Sequence, residues 1–178
     1  MKVVVAYASK YGFTKGIAER IAEKMTSSGV ETEAKDVSQV DGPEDYDAFV
    51  IGSAVFFGKW MKEAHEFVTR NQAMLAAKPV WLFSSGPVGT ETKTKKGESM
   101  IEASIPKDIE EFKDIISPRD HHVFYGGFNS SGHGVGGWIV RRLSAASKAL
   151  VEGDFRNWPE IEAWAIGIAR ELETPKPQ

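Results

Sequence analysis

The chain has 178 residues, 42% of them hydrophobic and 26% charged, with a formal net charge of -3 and a pI near 5.9. This is the composition of a single globular domain; it excludes a disordered chain and gives no electrostatic reason to expect nucleic acid as a main partner. Cysteine is absent, which excludes disulfides, thiolate nucleophiles and Cys-ligated iron–sulfur or zinc sites and fits a reducing compartment.

Folding at this length buries roughly 70% of the unfolded surface, so the core needs no disulfide or structural metal. Met1 and Lys2 lead straight into a short apolar run, without the longer apolar stretch and small-residue cleavage site of a signal peptide. No apolar run approaches the length of a membrane span. The expectation is a cytoplasmic protein, with membrane contact at most peripheral.

Residues 2–8 (KVVVAYA) form an apolar, β-branched run that reads as a strand. From Phe13 to Ser28, Ile17, Ile21, Ala22 and Met25 recur at helical spacing, and Gly29 follows as a C-terminal glycine. Val30–Val37 alternates as a second strand, and Tyr46–Gly52 reads as a third. A helix is expected over Trp60–Ala76 on the strength of Ala64, Phe67, Val68 and Leu75. Pro79 opens a fourth strand, PVWLFS, whose continuous apolar character suits burial on both faces. A polar, lysine-rich connection over Thr90–Glu102 precedes a helix from Pro106 to about Ile116, and His121–Phe128 reads as a fifth strand. The glycine-rich NSSGHGVGG follows, then WIVRRLSAASKALV, a last helix over Trp158–Leu172 and a frayed tail over 175–178. Strands alternating with helices predict an α/β fold, a doubly wound five-stranded parallel sheet with right-handed crossovers, in a single domain over 1–174.

In such a sheet, ligands bind beyond the carboxyl ends of the strands. After strand one stands Ser9-Lys10-Tyr11-Gly12-Phe13-Thr14, which opens directly onto a helix and offers backbone N–H groups, two hydroxyls and the positive end of a helix dipole. A phosphate suits that loop; the plainer reading is that Ser9 or Thr14 only caps the helix. After strand three, Gly52 leads into Ser53-Ala54-Val55-Phe56-Phe57-Gly58, with Lys59 and Trp60 beyond. Aromatics at that edge are costly to expose unless something flat and apolar covers them, or unless they fold back to staple the following helix. After strand four, Ser84-Ser85-Gly86-Pro87-Val88-Gly89 is either a turn or a place where backbone approaches the edge of a planar ligand.

Residues 1–89 resemble a flavodoxin, whose FMN-phosphate loop has the pattern Ser/Thr-x-Thr-Gly-x-Thr and whose two further loops enclose the flavin ring. Ser9, Gly12 and Thr14 match that pattern, and Tyr11 stands where the middle Thr is usual. Ser84–Gly89 lacks the tyrosine that stacks on the ring in many electron-shuttling flavodoxins. The resemblance implies strand order 2-1-3-4-5, FMN as cofactor in all three loops, and an insertion after strand five. A narrower resemblance, to the menaquinone-dependent protoporphyrinogen oxidase type, rests on four features. They are the non-Thr residue before Gly12, the aromatic-Gly pair Phe57-Gly58, the long insertion, and a Trp leading into the last helix in Asp154-Phe155-Arg156-Asn157-Trp158. It implies oxidation of a small hydrophobic substrate such as a porphyrinogen with a quinone acceptor. Rival readings are an electron carrier serving a redox partner protein and a binding module without turnover. The modest net charge favours an enzyme over a carrier.

Other motifs carry less. Gly132-His133-Gly134-Val135-Gly136-Gly137 spells G-x-G-x-x-G, but no strand follows it as a dinucleotide fingerprint requires. Asp120-His121-His122 resembles a metal cluster, yet strand neighbours point to opposite faces, so no metal is expected. Ser85 lacks the G-x-S-x-G elbow of a hydrolase. Trp138–Val151 repeats apolar residues near helical spacing and reads as packing, a lid or a membrane contact. No catalytic acid or base is identified.

Overall fold

The structure, a computed structural model, describes residues 1–129 and 152–174. The elements run β1 (Lys2–Ala8), α1 (Phe13–Ser27), β2 (Glu31–Asp36), β3 (Ala48–Phe56), β4 (Lys59–Trp60), α2 (Lys62–Arg70), α3 (Gln72–Ala76) and β5 (Val80–Ser85). They continue with α4 (Met100–Ala103), α5 (Asp108–Ile116), β6 (Asp120–Phe124), β7 (Gly127–Phe128), β8 (Gly153–Asp154) and α6 (Trp158–Glu173).

Among the described residues, β2-β1-β3-β5-β6 is a parallel sheet in that order, with the two-residue β4 added antiparallel to β3. Counting the parallel strands alone, this is the order 2-1-3-4-5. The β1 run is apolar throughout because it is covered on both sides: Val3, Val4, Val5 and Ala6 are wholly buried. Alternate residues serve two separate cores. Val3, Val5, Val50, Trp81 and Phe83 pack on α1 and α6 through Ile17, Ile21, Ile161 and Ile168. Val4, Ala6, Phe49, Ile51 and Leu82 pack on α2, α3 and α5 through Phe67, Val68, Leu75 and Phe112. Helices on both faces leave the strand ends as the accessible surface. The chain begins in the middle of the sheet and moves outward in both directions, so its order reverses between β1 and β3. The crevice beyond their carboxyl ends is where a doubly wound sheet takes its ligand.

Several boundaries differ from the sequence reading for identifiable reasons. The strand expected to stop at Gly52 runs on to Phe56, because β5 and β4 both pair with its end. The helix expected from Trp60 starts at Lys62 and breaks at Asn71, whose side chain donates to the Phe67 carbonyl at 2.8 Å in competition with the helix. The single run read over His121–Phe128 is two strands. Tyr125 and Gly126 leave the sheet, and β7 pairs antiparallel with β8. The chain therefore enters and leaves residues 129–152 side by side, as an insertion after strand five requires. The G-x-G-x-x-G spelling, Trp138–Val151 and the tail 175–178 lie outside the described residues. Among the described residues no helix is long and apolar enough to cross a membrane.

Candidate functional site

The loop after β1 is shaped by Gly12, whose φ of +84° places it in the left-handed region and starts α1. Ser9 Oγ accepts from Gly12 N–H at 3.1 Å, which fixes the loop. No side chain caps α1, its first turn holds no acidic residue, and Lys15 lies there instead. Helix N-termini leave their first N–H groups unpaired and favour negative charge. Thr14 is only 2% exposed, yet its hydroxyl has no hydrogen-bond partner among the described residues. A Cβ placed on Gly12 would meet nothing within 4 Å, so the loop is open at that point. These residues fit an oxyanion. Neither Ser9 nor Thr14 caps α1 here: Ser9 Oγ is bonded within the loop and the Thr14 hydroxyl has no partner among the described residues.

The second group is a β-hairpin. Ser53, Ala54, Val55 and Phe56 belong to β3; Phe57 and Gly58 form the two-residue turn into β4, with φ of +53° and +72°. Positive φ at both positions is the type I′ geometry that suits tight hairpins. Gly58 adopts it freely, whereas an aromatic residue there is strained by about 1–3 kcal/mol. Phe57 is also 100% exposed, with Phe56 half-exposed beside it. The Phe56 ring meets the Tyr11 ring edge-on at 6.4 Å, and Lys10 Nζ lies 5.7 Å from both ring centroids. The hairpin and the β1 loop therefore form one surface. Its base is held by α5: the Gly58 carbonyl accepts from Lys107 N–H at 3.1 Å, and Asp108 accepts the Trp60 N–H at 2.8 Å.

Of the aromatics in this group, Trp60 does fold back. Its ring is buried against Phe112 at 5.0 Å, and its indole N–H donates to Ser84 Oγ at 2.8 Å. Ser84 Oγ also lies 2.9 Å from His121 Nε2. The indole can only donate, so the Ser84 O–H is left to donate to an unprotonated Nε2. Burial agrees, pushing the His121 imidazole down to about 4. Ser53 Oγ is likewise committed, accepting from Met61 N–H and donating to the Ala54 carbonyl, each at 2.9 Å. The hydroxyls of Ser53 and Ser84 are thus both committed within the protein. His121 and His122 do diverge: His122 Nε2 lies 2.9 Å from Glu160 on α6. Among the described residues no group of three His, Asp or Glu side chains is placed to hold a metal.

The third group follows β5 at the same end of the sheet. Ser85 ends β5 in register with Ala54, and Gly86, Pro87, Val88 and Gly89 follow. Gly126 N–H donates to the Pro87 carbonyl at 2.9 Å and Gly86 N–H to that of Phe124 at 3.1 Å. Gly89 has a φ of +110° with open space at its Cβ position. β7 carries this group back to the first: the Phe128 ring meets Tyr11 at 6.4 Å, and a Cβ on Gly127 would lie 2.2 Å from the Phe13 ring. Sequence reasoning allowed for Trp60 folding back but missed its Ser84 partner, and it missed His121 and Arg156 as supports of these loops. Their partners are distant in the chain, and only the unexplained glycine inside α1, Gly16, hinted at a close neighbour.

A flavodoxin-domain family model matches residues 4–145. The chain belongs to the flavodoxin-domain family. Family and fold together imply a flavin site, and the β1 loop fits its phosphate. The chain is similar to protoporphyrinogen IX dehydrogenase [quinone] of Escherichia coli strain K12, 27% identical over 86 residues, 47% of this chain and 48% of that protein. The match thus spans about half the length of that curated relative. Two solved structures share the fold. Oxidised flavodoxin 2 from Bacillus cereus has a TM-score of 0.60 at 20% identity, covering 96% of this chain and 99% of that one. A flavodoxin from the domain Archaea has a TM-score of 0.58 at 19% identity, covering 98% and 100%.

Proposed function

We propose that this flavodoxin-domain protein binds FMN and is an oxidoreductase that takes electrons from a small hydrophobic substrate, a porphyrinogen first among candidates, and passes them to a quinone. The observation that carries the reading is Phe57: an aromatic side chain, fully exposed and held in left-handed backbone, one residue from the Phe56–Tyr11 contact that joins the hairpin to the β1 loop. Strain and exposure together are costs that a soluble chain retains where a planar apolar partner relieves them.

In this reading the N–H groups of the first α1 turn and the Thr14 hydroxyl hold the phosphate, with Lys10 at its lip. Phe56 or Phe57 covers one face of the ring, and backbone from Gly86 to Gly89 borders its edge. The other face, near Pro87 and Val88, stays open to a substrate. Bound FMN supplies the redox chemistry, and the protein supplies anchoring, orientation and polarity. No side chain is required as acid or base. FMN is preferred to FAD because a loop closing directly on a helix end receives a terminal phosphate. The Escherichia coli relative, named for protoporphyrinogen IX and a quinone, supports the substrate class. The modest charge of -3 supports an enzyme over a shuttle. We place it in the cytoplasm, a reducing compartment that suits a chain without cysteine.

The test is to reduce the FMN-loaded protein and follow its reoxidation. Faster reoxidation by a menaquinone analogue than by small one-electron acceptors, with quinone-dependent oxidation of a porphyrinogen, is expected. Exchange with a redox partner protein alone, without either activity, would replace this reading with an electron carrier.

A further inference from the structure

The first turn of α1 is gripped from behind by a residue 143 positions away in the chain. Arg156 lies just beyond β8, and its guanidinium Nη1 donates to the Phe13 carbonyl at 3.2 Å. Its Nε donates to Asp154 Oδ1 at 2.8 Å and its Nη2 to Asp154 Oδ2, a two-pronged pair that fixes the plane of the group. That plane lies 5.1 Å from the Phe13 ring centroid and 4.4 Å from that of Trp158. The Arg156 side chain is only 14% exposed. Hydrogen bonds from Arg156 hold the Asp154 carboxyl below its usual range against the opposing effect of burial. Asp154 therefore keeps its charge, and the clamp stays closed, at ordinary pH.

Gly16 makes this approach possible. A Cβ at that position would lie 2.4 Å from Arg156 Nη1, so any other residue displaces the guanidinium. Glycine is a poor helix former, and its presence in the second half of this turn is explained by the close contact. The turn so fixed begins α1 beside Gly12 and carries Thr14, whose hydroxyl has no partner among the described residues; of its N–H groups, that of Gly16 is bonded to the Gly12 carbonyl at 3.0 Å, which leaves those of Phe13, Thr14 and Lys15 as the helix's free donors. Receiving an anion on such groups depends on their being held before it arrives, because ordering them on binding would offset affinity.

We infer that Arg156, oriented by Asp154 and admitted by Gly16, is a positioning residue that pre-forms the phosphate-receiving turn and sets the preference for FMN over the same flavin without its phosphate. The inference rests on the proposed FMN reading of that loop. It is distinct from simple attachment of α6, because its effect falls on the phosphate end of the ligand.

The experiment titrates the apoprotein with FMN and with riboflavin by fluorescence quenching, for the wild type, Arg156→Gln, Arg156→Lys and Gly16→Ala, alongside urea denaturation of each. Gly16→Ala displaces the guanidinium while favouring the helix, so it tests the clamp even where Arg156→Gln fails to fold. The expected result is FMN affinity lower by about tenfold or more in all three variants, with riboflavin affinity changed by less than about threefold. Gly16→Ala should show this loss with undiminished apoprotein stability. Lysine keeps the charge but not the fork, so it should not restore affinity. Equal losses for FMN and riboflavin, unchanged FMN affinity, or full rescue by lysine would overturn the inference. Wild-type protein that takes up no FMN would instead overturn the FMN reading, and the inference with it.

Discussion

The indole N–H of Trp60 donates to the hydroxyl of Ser84 at 2.8 Å, tying the β3–β4 hairpin to the neighbouring strand β5. Ser84 is wholly buried and donates its own O–H to His121 Nε2. The contact explains why Phe57 stands out at the turn while Trp60, three residues on, does not.

Removing that donor has a calculable cost. Trp60→Phe leaves a buried hydroxyl oxygen without its donor and a small void beside Phe112, so the protein should lose about 1–3 kcal/mol. Urea denaturation at neutral pH measures it. Unchanged stability would mean that Ser84 finds another donor.

His121 gives the pair a pH dependence. Its folded value near 4 lies below the ordinary 6.5, chiefly through burial, with His122 and Lys113 acting the same way and Asp120 opposing them. As pH falls through 6.5 the unfolded chain takes up the proton first, so stability is intact above that pH and is lost between about 6.5 and 4. The slope approaches at most about 1.4 kcal/mol per pH unit. Comparing urea midpoints of the wild type and His121→Gln across this range should show the slope reduced in the variant. Glu33, held down to about 2 by the Tyr46 hydroxyl and by Lys2 and Lys35, adds its loss only below the ordinary carboxylate value of 4.5.

The centre of the sheet admits no side chain at Gly52. A Cβ there would fall 2.0 Å from the Phe83 ring, which is wholly buried. Gly52→Ala should cost about 1–3 kcal/mol or more by overpacking, and pairing it with Phe83→Leu should recover part of the loss. A neutral Gly52→Ala in thermal or urea denaturation would contradict the close contact.

Phe57 should show the opposite balance of stability and function. Phe57→Gly relieves the left-handed strain and removes an exposed aromatic ring, so the apoprotein should gain about 1 kcal/mol after the entropic cost of glycine. Quenching of FMN fluorescence on binding should weaken, most of all with Phe56→Ala added. Quenching that persists in the double variant would move the stacking partner elsewhere.

The strands were legible because the apolar runs are clear, VVVA in β1 and VWLF in β5 being buried on both faces, and their order followed from the flavodoxin resemblance of the loops between them. The helix α1 announced itself through Ile17, Ile21 and Met25 and ended at Gly29. What stayed hidden depended on contacts between distant residues. Trp60 looked like the first residue of a helix, but the Phe57-Gly58 turn sends it back along β3, and turns with a non-glycine at positive φ leave little trace in sequence. Ser53 and Ser84 stood in loops read for their backbone and aromatic content, and their buried hydroxyls are committed to Met61 N–H and the Trp60 indole, partners that nothing local in the sequence indicates. Arg156 appeared only as part of a lead into the last helix, since nothing local ties it to Phe13.

The most direct test of the account is the flavin itself. Absorption of the purified protein, identification of any flavin released, and titration of the apoprotein with FMN together decide whether the three loops form the site. The account predicts a yellow protein releasing FMN, or an apoprotein that takes up one equivalent of it. It further predicts that Thr14→Ala weakens binding by about 1–3 kcal/mol, the loss expected for a hydrogen bond to a charged group. A colourless protein that takes up no FMN, or Thr14→Ala with undiminished affinity, would contradict it.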